Sequence, residues 1–403
     1  MSQIDFDSIY DRMKNWDHHI QTGALQEFVT YIENKPKTTI TETTQKKLMS
    51  AFTELFSSTD TVLDSLREAV NFTTSFLPKI TQEEYLENFL KTIAQIFTSE
   101  SYSKMRPIRS NTLLLLDKNL FIFTIDQKKG ELFTKVVTVS LLQKLTSPTI
   151  DKFHDLDCLV MALEIIFKKH VHFLESMMVD VKSALSLCSE VLLPLVDSQN
   201  DDVKNTVLRC ISEVAVKMDD TFITQITQKL LREFKEKKRM NQTLILLDSF
   251  SYFCMCVRDK IANFVREIFC VIMTKFAFLY SDFGKEKKTL ADGVYVLEIE
   301  ESNDESTCIF KATVLRFVAQ LIRCSPEKLN EDVDELIELG NDYLQFDPNS
   351  FVNDETTKSH LKEEKNESDE EFDDDLGEED TNTKNDTGSS DDMTWKVRIS
   401  AVG

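Results

Sequence analysis

The chain has 403 residues, of which 8 are Gly and 7 are Pro. Together they fall under 4%, against roughly 12% in ordinary usage, which excludes a turn-rich sheet protein and any fold built on a Gly-rich phosphate loop. The formal charge of −22 argues against non-specific binding to nucleic acid or to an anionic membrane.

The N-terminus, MSQIDFDSIYDRMKNW, is polar and lacks an apolar core, so a secretory leader is not expected. Without secretion the eight cysteines should be reduced thiols, mostly buried in helices. No apolar run approaches 18 residues, so no membrane span is expected.

In chain order, the apolar spacing predicts helix pairs. Val62 to Phe76 is followed by Tyr85 to Phe97, and Leu113 to Phe123 by Phe133 to Leu145. Leu159 to Phe167 is followed by Val179 to Leu195. The stripe Val203, Val207, Leu208, Ile211, Val214, Ala215 and Met218 marks an amphipathic helix. Asp201 and Asp202 are its expected caps. Its partner carries Phe222, Ile223, Ile226, Leu230, Leu231 and Phe234. Leu244 to Val257 pairs with Ile261 to Phe278, and Ile309 to Ile322 with Val333 to Leu344.

First helices begin near Asp157, Asp202, Asn241 and Thr307. A period near 40 residues made of helix pairs is the HEAT or armadillo pattern. The expected fold is therefore all-α: a HEAT-repeat α-solenoid, a right-handed superhelix of about seven helix pairs over residues 1–350. The stretch 281–306 interrupts it and reads as a surface loop, with Val294 to Ile299 as a short strand or an extended arm. From Asp354 to Asp392 there are 17 Asp or Glu against 4 Lys. The acidic tract 353–392 has no apolar periodicity and is expected to be disordered. Residues 393–403 read as the start of one further repeat.

Chemical constellations are few. His170 and His172 lie two apart on a helix, about 200° around it, and do not share a metal. His154 and Cys158 have chelating spacing but no second pair beside them. Cys254 and Cys256 face opposite sides of one helix, and His18-His19 reads as a solvated helix boundary. A nucleophile elbow, Walker loop, Rossmann glycine cluster and HExxH are absent. No catalytic, cofactor or metal residue is assigned, and the chain is not expected to be an enzyme. The basic runs Lys235-Glu236-Lys237-Lys238-Arg239 and Lys285-Glu286-Lys287-Lys288 are either solvated helix ends or contacts for an import receptor or acidic partner.

The most specific signals come late. Cys324-Ser325-Pro326-Glu327 opens a turn between two repeat helices, and Tyr343-Leu344-Gln345-Phe346-Asp347-Pro348-Asn349 ends the second. The acidic tract follows, and Asp391-Asp392-Met393-Thr394-Trp395-Lys396-Val397-Arg398 closes it. This order resembles the cullin-associated, neddylation-dissociated (CAND) family. There a HEAT solenoid carries a Cys-Pro turn, a Tyr-Leu-x-Tyr-Asp-Pro-Asn helix end, an acidic loop and a Ser-Trp-Lys-Val-Arg repeat start. Phe346 and Thr394 stand where the family has Tyr and Ser, and the 281–306 insertion has no counterpart.

The resemblance implies a non-enzymatic regulator of cullin-RING ubiquitin ligases, without a cofactor, acting as a monomer in cytoplasm and nucleus. Its partner would be the cullin C-terminal domain with the RING subunit, with the modifier-acceptor lysine masked. Neither nucleic acid nor membrane is an implied partner. Because the family's solenoid continues past this motif, the chain is expected to hold its N-terminal part and to lack the adaptor-exchange half. An importin-β-like or other HEAT scaffold in nuclear transport or complex assembly is the alternative. Within the tract, Ser368 precedes Asp369-Glu370-Glu371, and Ser389 and Ser390 precede Asp391-Asp392, so all three are candidate sites for acidophilic kinases.

Overall fold

The computed structural model describes residues 4–58, 63–100, 106–147, 150, 155–179, 182–198, 200–281, 291–297 and 305–344. The acidic tract, residues 393–403 and the second basic run lie outside them. The described chain is all-α, and it divides after Gln225 into two compact units.

The first unit holds α1 (Phe6–Met13), α2 (His18–Asn34), α3 (Glu42–Ser57), α4 (Leu63–Phe76), α5 (Glu83–Thr98), α6 (Arg106–Ile125), α7 (Gln127–Phe133), α8 (Val139–Leu145), α9 (Leu156–Ser176), α10 (Ala184–Leu195) and α11 (Asp201–Ala215). Helix α2 packs on α4, α4 on α6, α6 on α9 and α9 on α11. A second layer runs α1, α3, α5, α8, α10 in the same stepwise manner. Each helix thus meets its counterpart in the next pair, which is how a helix-pair repeat buries a continuous core.

Polar pairs along the first layer report the period directly. Thr22 meets Ser65 at 3.1 Å, Gln26 donates to Glu68, Lys118 to Asn71 and Lys217 to Glu175, with partners 42 to 47 residues apart. Ser65 is buried, whereas the other three pairs are exposed and contribute at most about 1 kcal/mol each. The burial between the layers matters more. Phe28, Phe72, Phe52 and Phe89 form a chain of rings with centroids 4.5, 5.7 and 5.1 Å apart. Each such side chain contributes about 1.5–3 kcal/mol by leaving water.

Helix α12 (Asp220–Glu236) spans the division. The second unit continues with α13 (Met240–Val257), α14 (Val265–Lys275), α15 (Phe278–Ser281), α16 (Glu305–Cys324) and α17 (Val333–Leu344). Here α13 and α14 both pack on α16, and α14 also packs on the 3-10 turn Pro326–Asp332 that leads into α17.

Four local expectations change. The helix expected from Val179 begins at Ala184, because the Ser183 hydroxyl accepts from the Ser186 amide and caps it. Before it, Met178–Val179 pairs antiparallel with Lys182–Ser183. The helix α11 is capped by Asn200, whose side chain accepts from the amides of Asp202 and Val203, so Asp201 and Asp202 form its first turn. The segment expected as one helix from Phe133 is α7, a π-helical turn Thr134–Thr138, and α8. The helix expected from Ile261 starts as a 3-10 turn, Arg258–Phe264, after Arg258 takes φ 46° at the end of α13.

Candidate partner-binding surfaces

The family-like turn is built as its sequence suggests. Pro326 begins the 3-10 turn, where its missing amide is harmless. The Ser325 hydroxyl donates to the Glu327 carboxylate, which holds that carboxyl below its usual range. Cys324 reaches back to the Cys254 carbonyl at 3.5 Å.

Tyr343 is fully buried, and its hydroxyl donates to the Leu279 carbonyl at 3.3 Å. It therefore ties α17 to α15 and is a packing residue. Leu344 is exposed beside it. Asp347, Pro348, Asn349, Asp391, Asp392, Trp395, Lys396, Val397 and Arg398 lie outside the described residues, as do Ser368, Ser389 and Ser390.

Exposed apolar side chains mark a surface instead. In the first unit the large ones on helices are Ile20 on α2, Leu63 on α4, Leu114, Phe121 and Ile125 on α6, and Met161 on α9. All belong to one layer, and the described helices of the other layer carry none. Leu114, Phe121 and Ile125 are spaced 7 and 4 apart, which places them on one stripe of α6. Clustered exposed apolar residues mark interaction sites more often than scattered ones do. The sequence carried this signal: the consecutive runs Leu113–Leu116 and Leu120–Phe123 put apolar side chains all round α6, where one face would serve the core.

At the start of the same layer, Trp16 stands 87% exposed in the turn between α1 and α2. With Asp17, His18, His19, Thr22 and Asp64 it lines an open depression of about 420 Å³. Asp17 is engaged as the α2 cap, accepting from the His19 amide at 2.9 Å.

The buried titratable groups serve packing. Arg109 donates to the carbonyls of Ile96 and Ser99 at 3.1 and 3.2 Å and pairs with Asp155. His170 donates from Nε2 to the Leu120 carbonyl at 3.0 Å and lies 3.0 Å from the Thr124 hydroxyl, among Phe133 and Phe173. Burial pushes its pKa down to about 4. All eight cysteines are thiols, and desolvation raises Cys188, Cys210 and Cys254, which keeps them protonated and unreactive. Among the described residues no group of three His, Cys, Asp or Glu is placed to hold a metal, and no helix is long and apolar enough to cross a membrane.

In the second unit, the first basic run is more than a solvated helix end. Lys235 pairs with Glu267 at 3.4 Å, and the Lys237 carbonyl accepts from the buried Lys275 ammonium at 2.6 Å. Lys275 also donates to the Tyr295 carbonyl at 3.2 Å. Part of the insertion, expected as a surface loop, is thereby docked. A lone cation in the apolar stretch Val271–Leu279 was the visible sign.

No known family's sequence model matches the chain, and no curated protein matches it. Among solved structures, three engineered proteins from the Northeast Structural Genomics Consortium are similar, each at 12% identity. The first aligns over 63% of this chain and 98% of its own, with a TM-score of 0.35. The second covers 62% and 99% at 0.34, and the third 84% and 84% at 0.29.

Proposed function

We propose that this chain is a non-enzymatic, cullin-binding regulator of cullin-RING ubiquitin ligase assembly, similar to the N-terminal part of a CAND protein. The observation that carries a binding role is that, among the described helices of the first unit, the large exposed apolar side chains fall on α2, α4, α6 and α9 and on none of the other layer. A helix-pair array offers a long surface on which many small contacts add up. The choice of partner rests on the resemblance at Cys324–Glu327, Tyr343–Asn349 and Asp391–Arg398.

In this reading the cullin C-terminal domain with its RING subunit lies against the apolar layer, and the modifier-acceptor lysine is covered. The protein works in cytoplasm and nucleus, as a monomer. The acidic tract steers the basic partner through exposed charge, an effect that weakens as salt rises. Phosphate on Ser368, Ser389 or Ser390 would deepen that charge by about 1.5 to 2 units each.

The test is co-purification with cullin and RING subunit, unmodified and modified. Preference for the unmodified form is expected. Equal recovery of both contradicts masking. Recovery of Ran and transport cargo with no cullin would replace the reading by an importin-β-like scaffold.

A further inference from the structure

The docked part of the insertion is an extended segment held on two helix ends. The Tyr295 amide donates to the Lys235 carbonyl at 3.1 Å, and the Leu297 amide to the Lys275 carbonyl at 2.9 Å. These carbonyls belong to the last turns of α12 and α14, whose C-terminal carbonyls lack partners within the helix. Donation from every second residue is the habit of an extended strand. The Ala291 amide adds a bond to the Thr274 hydroxyl at 2.8 Å.

Side chains read the segment as well. Leu297 is buried, whereas Tyr295 and Val296 are exposed. The Lys238 ammonium lies 5.4 Å and the Lys275 ammonium 5.8 Å from the centre of the Tyr295 ring. Lys275 also lies 5.5 Å from the Phe234 ring. It is a buried cation whose two hydrogen-bond acceptors are both carbonyls, one of them supplied by the segment itself. Around it the chain places Lys235, Lys237, Lys238 and Arg239, with Glu236 and Glu267 as the neighbouring acids. The segment and its continuation read Asp292 to Glu301, DGVYVLEIEE, with four acids and no cation.

We propose that the surface formed by the ends of α12 and α14 is a receptor for extended acidic segments with an aromatic residue two places before an aliphatic one. Residues 291–297 are its resident occupant. A partner segment of the same chemistry displaces them. Backbone carbonyls supply the hydrogen bonds, as in strand addition to a sheet edge, while the Leu297 site and the lysines supply selectivity. The resident occupant has the advantage of tethering, because a short link presents it at an effective concentration in the millimolar range. Its hold is small, a few hydrogen bonds and one buried leucine, so exchange is within reach of a partner segment. This role is separate from cullin binding and stands or falls without it.

The experiment uses a fluorescent peptide of residues 291–301, ADGVYVLEIEE. Binding is measured by anisotropy to the parent chain and to a Tyr295→Ala, Leu297→Ser double variant of unchanged helical circular dichroism. The double variant should bind at least tenfold tighter than the parent, and adding Lys238→Glu should remove the gain. Equal binding to both chains, or a gain indifferent to Lys238→Glu, overturns the proposal. The parent chain gives a second readout that no variant's misfolding can spoil. Excess unlabelled peptide should speed hydrogen exchange at the Tyr295 and Leu297 amides. Unchanged exchange would make the segment a structural loop only.

Discussion

Arg109 and Lys275 are both cations buried in a helical core, and their partners differ. Arg109 binds two carbonyls at the end of α5 and pairs with the Asp155 carboxylate. Lys275 binds two carbonyls, and burial holds its pKa down to about 8. A guanidinium stays charged and fans its donors over several acceptors, whereas an ammonium sheds its proton when desolvation outweighs attraction. The first arrangement is a permanent clamp within a regular ladder. The second is an anchor in an interrupted repeat, and half of it is a segment able to leave.

The largest expected effect tests the clamp. Arg109→Met should cost about 3–5 kcal/mol in urea unfolding, since it strands a partly buried carboxylate and two carbonyls. Lys275→Met should cost less than half as much. Equal losses would erase the distinction.

Next comes pH. His170 titrates near 6.5 when unfolded and about 4 when folded. The unfolded chain therefore binds a proton first as pH falls, and stability drops between 6.5 and 4, by at most about 3 kcal/mol. The groups facing it are Thr124, the Leu120 carbonyl, Phe133, Phe173, Lys169 and His172. His170→Gln should flatten this acid-side slope. Lys275 acts on the other side: folded near 8 and unfolded near 10.5, it makes stability rise with pH across that window. Lys275→Met should shrink the alkaline slope and leave the acid one, the remainder belonging in part to Lys129, whose ammonium burial also holds down. Unfolding followed at pH 4.5, 7, 8 and 10 separates the two.

Smaller effects probe how tightly each region is packed. A Cβ on Gly130 would overlap the Phe173 ring and the Phe123 carbonyl. Gly130→Ala should therefore cost about 1–3 kcal/mol, as overpacking does. Arg258, with φ 46° and ψ −118°, sits where a turn prefers glycine. Arg258→Gly should be neutral or stabilise by up to about 1 kcal/mol, read as a rise in the urea midpoint.

Helix starts at Leu156, Asp201, Met240 and Glu305 lie within two residues of those read from apolar spacing, because amphipathic stripes are local and each helix buries one face. What escaped depends on near-equal local alternatives or on distant partners. The cap at Asn200 turns on two local hydrogen bonds that Asp201 or Asp202 could equally have supplied one or two residues on. Docking of Tyr295 and Leu297 needs carbonyls 60 and 22 residues away in sequence. Arg109 has no signature in its own segment, since its acid lies 46 residues on. Of the family-like motif, Tyr343 proves a core residue, and the apolar layer was visible only as a helix with too many apolar faces.

The central claim is that one layer of the first unit binds the partner, a cullin with its RING subunit. The decisive measurement is the affinity of the unmodified cullin–RING pair for three chains of equal helical content. These are the parent, a Phe121→Asp, Met161→Asp variant in the apolar layer, and a Ser50→Asp, Gln95→Asp variant in the opposite layer. The account predicts at least a tenfold loss for the first variant and no change for the second. Equal affinities for all three, or equal losses in both layers, would contradict it.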